Sequence, residues 1–275
     1  MSIIIPILVV GAIGLLCSIM LVGASKFMAV PEDETFLKIR ECLPGANCGA
    51  CGFTGCDGYA HALADGSVHT AALCVPGGAE VCGKLSEMMQ WEEQAVVPKV
   101  AYIACCGDNS PASRKHDYRG INTCIAAYSH FAGYAKCAQS CLGIGDCAEV
   151  CPNHAICIEN GIATVRPQLC EGCGLCAKVC PSRKIRIIPK AVKVIVRCTS
   201  NDKGANTRKA CDSGCIGCKK CEKVCENDAI HVINNCAEID YSKCTGCGKC
   251  AEACISGCIT TVDFLTMSNM PFSSV

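Results

Sequence analysis

An α+β chain with one N-terminal membrane helix, a small metal-bound domain and two tandem cysteine-rich modules is what the sequence predicts. Three observations carry this. Ser2 to Ser25 contain no charge. Of the 275 residues, 31 are cysteine, many spaced as C-x2-C. Nine cysteines recur at an offset of 74: Cys124, Cys137, Cys141, Cys147, Cys151, Cys170, Cys173, Cys176 and Cys180 align with Cys198, Cys211, Cys215, Cys221, Cys225, Cys244, Cys247, Cys250 and Cys254. Self-similarity of this kind marks a duplicated structural unit.

Composition narrows the class. Aromatics make up 5 % with a single Trp, so no large aromatic core holds the chain, yet 51 % hydrophobic residues exclude a disordered polymer. The 25 basic and 25 acidic residues cancel, which argues against a nucleic-acid partner. Secreted disulfide scaffolds are short and usually carry an even number of cysteines. An odd count in a long chain favours thiolates that hold metal in a reducing compartment.

The first element, residues 1–26, reads as a transmembrane anchor. Its 24 uncharged residues would make a helix of about 36 Å, enough for a hydrocarbon core of about 30 Å. Pro6, Gly11, Gly14 and Gly23 are tolerable there. A cleaved signal peptide is the alternative, weakened by the absent basic n-region and the long apolar run. Residues 32–95 follow as a small domain with an amphipathic helix expected over 77–97, where Trp91 is a packing residue. Charge is uneven: residues 1–93 carry 4 basic and 10 acidic side chains, residues 183–223 carry 12 basic and 3 acidic.

The two modules are placed at 98–190 and 191–264, with a tail at 265–275. Val100–Ala104 and Ala191–Arg197 read as strands leading into them. Ala155–Ile158 and Ala163–Arg166 flank an Asn160-Gly161 turn, Ile185–Ile188 closes the first module, and the alternation returns at Ala229–Ile233 and Ile259–Val262. Cys147–Cys151 and Cys176–Cys180 read as single helical turns.

The spacing names the metal. Bacterial two-cluster proteins use C-x2-C-x2-C-x3-C-P, whose fourth Cys binds the other cluster. Three thiolates wrap one face of an iron–sulfur cubane from a tight loop, and the fourth comes from elsewhere. Cys170, Cys173, Cys176 and Cys180-Pro181 meet the pattern in full. So do Cys215, Cys218, Cys221 and Cys225, and Cys244, Cys247, Cys250 and Cys254, the last with Ile255 in place of Pro. These are bacterial-type 2[4Fe-4S] ferredoxin-like modules. The fourth copy lacks its middle ligand, since Ile144 stands where the second module has Cys218. Cys137 is expected to substitute, so that Cys137, Cys141, Cys147 and Cys180 hold one cluster and Cys151, Cys170, Cys173 and Cys176 the next. In the second module Cys215, Cys218, Cys221 and Cys254 pair up, as do Cys225, Cys244, Cys247 and Cys250, with Cys211 a rival to Cys218.

Nearer the anchor, Cys48, Cys51 and Cys56 lie among glycines, with Cys74 as the expected fourth ligand and Cys82 or Cys42 as rivals. The total is five 4Fe-4S clusters. Cys105, Cys106, Cys124 and Cys198 are left over and keep a sixth open, while Cys17, Cys157, Cys236 and Cys258 read as small buried hydrophobes. Zinc is the chemical competitor, but a fourth thiolate in each run exceeds what one tetrahedral ion needs. Gly143-x-Gly145-x-x-Ala148 sits inside a ligand run with no strand before it and is no dinucleotide loop. No catalytic residue is expected in this chain.

The segment Leu43-Pro44-Gly45-Ala46-Asn47-Cys48-Gly49-Ala50-Cys51-Gly52-Phe53-Thr54-Gly55-Cys56, between an apolar N-terminus and ferredoxin-like modules, closely resembles the B subunits of Rnf complexes. Two double-cluster modules match the extended form of anaerobic, acetogen- or clostridium-like bacteria. The resemblance implies an electron-transfer subunit of an ion-translocating ferredoxin:NAD oxidoreductase that takes electrons from soluble ferredoxin and hands them to membrane subunits, with Na⁺ or H⁺ export. It also implies a single-pass protein of the cell membrane, anchored in the lipid bilayer with its bulk on the cytoplasmic side, and further membrane and peripheral subunits as partners. Ferredoxins are acidic, so residues 183–223 are the expected docking face. A polyferredoxin of a hydrogenase-like complex without ion pumping and a zinc-rich interaction protein are the alternatives.

Overall fold

The computed structural model describes residues 4–27, 34–92, 95–107 and 113–266; most of the expected tail at 265–275 lies outside them. Helix α1 (Ile4–Phe27) is apolar on all sides. Its stretch Ile7–Ala24 has a mean hydropathy of 2.6 and none of it is buried against the rest of the chain. By length and composition it can cross a membrane.

Three helices form the next unit: α2 (Glu34–Cys42), α3 (Cys56–Ala64) and α4 (Gly78–Met89). Ile39, Tyr59, Leu63, Val81 and Leu85 fill the space between them, each such side chain contributing about 1.5–3 kcal/mol by leaving water. Trp91 packs at the edge of this core, its ring 6.0 Å from His69. The amphipathic helix expected over 77–97 stops early. Gln90 turns left-handed (φ 55), and the N–H groups of Gln90 and Trp91 close the last turn on Glu87 O and Ser86 O.

Each module then repeats one plan. The first runs β1 (Lys99–Ile103), α5 (Cys124–Ser129), α6 (Asp146–Glu149), β2 (Ile156–Glu159), β3 (Ile162–Val165), α7 (Leu175–Val179) and β4 (Ile185–Pro189). The second runs β5 (Val194–Val196), α8 (Gly204–Ala210), α9 (Lys220–Lys223), β6 (Ile230–Ile233), β7 (Cys236–Ile239), α10 (Lys249–Glu252) and β8 (Ile259–Thr261). All strand pairs are antiparallel: β1 with β4, β2 with β3, β5 with β8 and β6 with β7. The inner hairpins turn through two left-handed residues, Asn160-Gly161 (φ 50 and 72) and Asn234-Asn235 (φ 48 and 66). That is the turn chemistry whose twist matches the strands.

Strand β1 has its residues from Val100 onward buried, and its alternation divides them between two cores. Ala101 and Ile103 join Ile156, Val165 and Ile185 in the first module. Val100 and Tyr102 face Ile188, Ile195, Val262 and Phe264. This second cluster seals module to module through their outer strand pairs.

The register corrects one equivalence drawn from the sequence. Ile103 pairs with Ile185 and Val196 with Ile259. Ile185 and Ile259 are repeat partners, so Val196 corresponds to Ile103. Two residues on, Cys198 is therefore equivalent to Cys105, and not to Cys124. Between Cys105 and Cys137 the chain is 19 residues longer than between their counterparts Cys198 and Cys211, and α5 lies within this longer stretch.

Candidate iron–sulfur centres

Near the anchor, Cys48 and Cys51 lie on the loop before α3 and Cys56 begins that helix. Asn47 fixes the junction: its Oδ1 accepts the Cys56 N–H at 2.8 Å. The Cys74 thiol, pushed up to about 11 by burial, sits among Cys56, Cys48 and Cys51. Of its rivals, Cys82 is 1 % exposed within the helical core, and Cys42 packs at its edge.

In the modules, small cavities collect cysteines in fours. Cys151, Cys170, Cys173 and Cys176 line one, and Cys225, Cys244, Cys247 and Cys250 line its counterpart. Around the remaining second-module site, burial pushes Cys221 up to about 11 with Cys215 and Cys218 beside it. Cys258 lies 3.6 Å from Cys254 and its hydrogen bond holds that thiol below the usual range, while bonds from Cys236 and then Cys258 do the same for Cys215. The sequence grouping of Cys215, Cys218, Cys221 and Cys254 is thus brought together, with Cys258 among them.

The first-module site departs from expectation. Its cavity is lined by Cys124, Cys141, Cys147 and Cys180, and Cys137 lines a different cavity. Helix α5 thus brings the Cys124 thiol to the cavity for which Ile144 offers none. Thr123 caps it, accepting the Ala126 N–H at 3.2 Å, and Asp146 Oδ1 accepts the Cys124 N–H at 2.8 Å, pinning the start of α5 to the start of α6. The cue missed in the sequence was the strand alignment, which strips Cys124 of a repeat partner and so marks it as an addition.

Cys137 stands with Cys105, Cys106, Cys198 and Cys211 around a cavity of about 260 Å³ between the modules. Beside it Lys184 is 3 % exposed and its Nζ donates to Thr199 Oγ1. One of the twelve basic residues of 183–223 is therefore no part of a docking face. Elsewhere Lys219, Lys220 and Lys223 are exposed around Cys218, itself exposed. The helical unit meets the first module where Lys178 Nζ donates to Cys48 O at 2.5 Å, with the Cys173 thiol close to Cys48.

The donor set fits iron–sulfur clusters. No cysteine is tied in a disulfide among the described residues. Backbone amides donate to sulfurs that the spacing marks as ligands: Ala155 N to Cys151 and Lys184 N to Cys180 at 3.3 Å, Ala229 N to Cys225 at 3.3 Å, Ala101 N to Cys170 at 3.4 Å. Such bonds stabilise thiolate charge and tune cluster potential. Among the described residues no three Cys, His, Asp or Glu side chains are placed to hold a single metal ion. Cysteines in sets of four stand around cavities, the arrangement that a cluster with its own inorganic core requires.

Comparison with known proteins agrees. The FeS model, an Fe-S cluster domain, matches residues 43–76, and the Fer4 model, a 4Fe-4S binding domain, matches 163–183 and 237–260. The chain is 40 % identical, over 88 % of its length and 73 % of the relative's, to the B subunit of the Na(+)-translocating ferredoxin:NAD(+) oxidoreductase complex of Acetobacterium woodii. It is 40 % identical, over 88 % of its length and 85 % of the relative's, to the B subunit of the proton-translocating ferredoxin:NAD(+) oxidoreductase complex of Clostridium ljungdahlii. Over 86 % of its length and 90 % of the relative's it is 36 % identical to the B subunit of the ion-translocating oxidoreductase complex of Methanosarcina acetivorans. With cysteines grouped for clusters on both sides of the duplication, and with identity sustained across most of each relative, this chain belongs to the family of B subunits of ion-translocating ferredoxin:NAD(+) oxidoreductase complexes.

Proposed function

We propose that this chain is the electron-transfer subunit of a membrane-bound, ion-translocating ferredoxin:NAD(+) oxidoreductase, receiving electrons from reduced ferredoxin at its second module and delivering them beside the membrane. The observation that carries the reading is the gathering of cysteines in sets of four along the chain. Five [4Fe-4S] clusters, each carrying one electron at a time, are held by Cys48, Cys51, Cys56 and Cys74; by Cys151, Cys170, Cys173 and Cys176; by Cys124, Cys141, Cys147 and Cys180; by Cys215, Cys218, Cys221 and Cys254; and by Cys225, Cys244, Cys247 and Cys250.

The residues order the path. Cys218 is exposed among Lys219, Lys220 and Lys223, where an acidic donor is steered by complementary charge. At the opposite end, Cys48 lies against the first module through Lys178, on the unit that follows α1. Helix α1 anchors this end in the cell membrane with the modules on the cytoplasmic side, where ferredoxin is found. Reduction of NAD and export of Na⁺ or H⁺ fall to the other subunits.

Charge reversal of Lys219, Lys220 and Lys223 tests the point of electron uptake. Ferredoxin oxidation by the complex is expected to slow by about tenfold or more at low salt and to lose its salt dependence. Unchanged rate and salt dependence would move the uptake point elsewhere. Colourless, zinc-bearing, iron-free protein from anaerobic cells would end the electron-transfer reading as a whole.

A further inference from the structure

The cavity between the modules belongs to none of the five sets, and its wall is duplicated. Residues 104–107 face it from the first module and 197–200 from the second, as do the stretches beginning at Cys137 and Cys211. The strand register makes Cys105 the counterpart of Cys198, and the 74-residue repeat makes Cys137 the counterpart of Cys211. Four thiols thus approach one space in two equivalent pairs, one pair from each module. We propose that this cavity holds a sixth [4Fe-4S] cluster ligated by Cys105, Cys137, Cys198 and Cys211.

Local chemistry supports that ligand set. Cys105 Sγ accepts the Cys141 N–H at 3.5 Å and Cys198 Sγ accepts the Cys215 N–H at 3.3 Å, the same amide-to-sulfur bonds found at the cysteines of the five sets. Cys198 takes a second from Ser200 N at 3.4 Å. Cys106 is set apart, because its thiol donates to Ser213 O at 3.0 Å. Ser140, 8 % exposed, lines the cavity with its Oγ lacking a hydrogen-bond partner. A buried hydroxyl left unpaired is costly, and an inorganic sulfide or thiolate in the cavity would accept from it. Lys184 keeps a buried charge beside this space, where a set of four thiolates supplies the opposite sign. Thiolate-only ligation of a space this wide selects an iron–sulfur cluster over a single hard cation.

The position gives the site its purpose. Cys141 and Cys215 are ligands of the neighbouring clusters on either side, so one backbone amide separates each of them from this site. One electron enters from the Cys215 side and one leaves towards Cys141, with no proton moved and no bond made or broken. The inference rests on the cluster-chain reading above and deepens it by joining two double-cluster modules into one path.

Iron and acid-labile sulfide per chain decide it in anaerobically purified protein. About 24 iron atoms are expected, and about 20 would overturn the proposal. Iron absent altogether would sink the cluster-chain reading itself, a distinct outcome. The variant Cys137→Ala/Cys211→Ala is expected to lose about four iron atoms, since both residues serve one cluster. A loss of about eight would assign them to different clusters, and no loss would leave the cavity without one; either result overturns the proposal. Cys106→Ala is expected to keep the wild-type count, and a loss of iron there would overturn the ligand set. Should the double variant fail to fold, the wild-type count still decides.

Discussion

The two modules are copies that solve one problem differently. In the second, the set Cys215, Cys218, Cys221 and Cys254 comes wholly from the regular motif, with Cys218 in the middle of its loop and exposed. In the first, Ile144 holds that position, and Cys124 arrives from an insertion of the chain to line the same kind of cavity. The difference teaches that the hairpin and outer strand pair define the cavity, while the identity of the fourth thiol is negotiable. Exposure separates the copies as well. On the proposed electron path, the exposed Cys218 suits uptake and the half-buried Cys124 suits onward transfer.

The largest effect expected from breaking this comparison is loss of a cluster. Cys124→Ala should remove up to about four iron atoms and uncouple ferredoxin oxidation from reduction of the N-terminal centre. Adding Ile144→Cys to that variant restores the motif of the second module and should restore the iron. Cys137→Ala should leave the first-module cluster in place. If Ile144→Cys fails to rescue while Cys137→Ala bleaches the cluster's own signal, Cys137 is the ligand and the insertion serves another end.

Next in size comes the backbone beneath each loop. Gly143 and Gly217 are repeat partners with φ of 65 and 66. A Cβ at Gly143 would come within 1.8 Å of Gly161 O, whereas at Gly217 it would lie 3.1 Å from Asn235 O. Alanine at Gly217 should therefore cost about 1–2 kcal/mol, the left-handed penalty alone. At Gly143 the clash adds to that penalty, and the total should reach about 4 kcal/mol or more. Thermal bleaching of the visible cluster absorption measures both variants. Equal losses would show that the two loops are held alike.

Much of this architecture could be read from residues alone. The 74-residue repeat and the triple C-x2-C runs located both modules, and Asn160-Gly161 announced its hairpin. Long-range pairing could not be read. Cys124 and Cys198 align in sequence by accident of spacing, and only the β1–β4 and β5–β8 register shows that Cys105 is the true counterpart. β7 escaped notice because Cys236-Ala237-Glu238-Ile239 shows little alternation, and its pairing with β6 is what defines it. The basic run suffered from the same limit. Lys184 counts as charge in a sequence, yet its position next to β4 carries it inside.

That lysine yields the smallest effect, and the sharpest contrast between the copies. Its counterpart in the second module is Cys258, buried and uncharged. Burial pulls the Lys184 pKa below the usual lysine value, while Cys105, Cys137, Cys198 and Cys180 pull it back up. An ammonium beside Cys180 and the cavity between the modules favours the reduced, more negative form of a cluster at either place. Lys184→Met should therefore lower the midpoint potentials of the first-module cluster and of the cluster proposed between the modules by tens of millivolts. The second module's cluster should keep its value. The pH dependence follows with a definite sign. As pH rises through the lowered Lys184 pKa, the charge disappears and the first-module potential should fall towards that of Lys184→Met, which itself stays flat. A redox titration followed by electron paramagnetic resonance across that pH range reads both modules at once. A parallel fall in the two modules would assign the pH dependence to something they share, and not to Lys184.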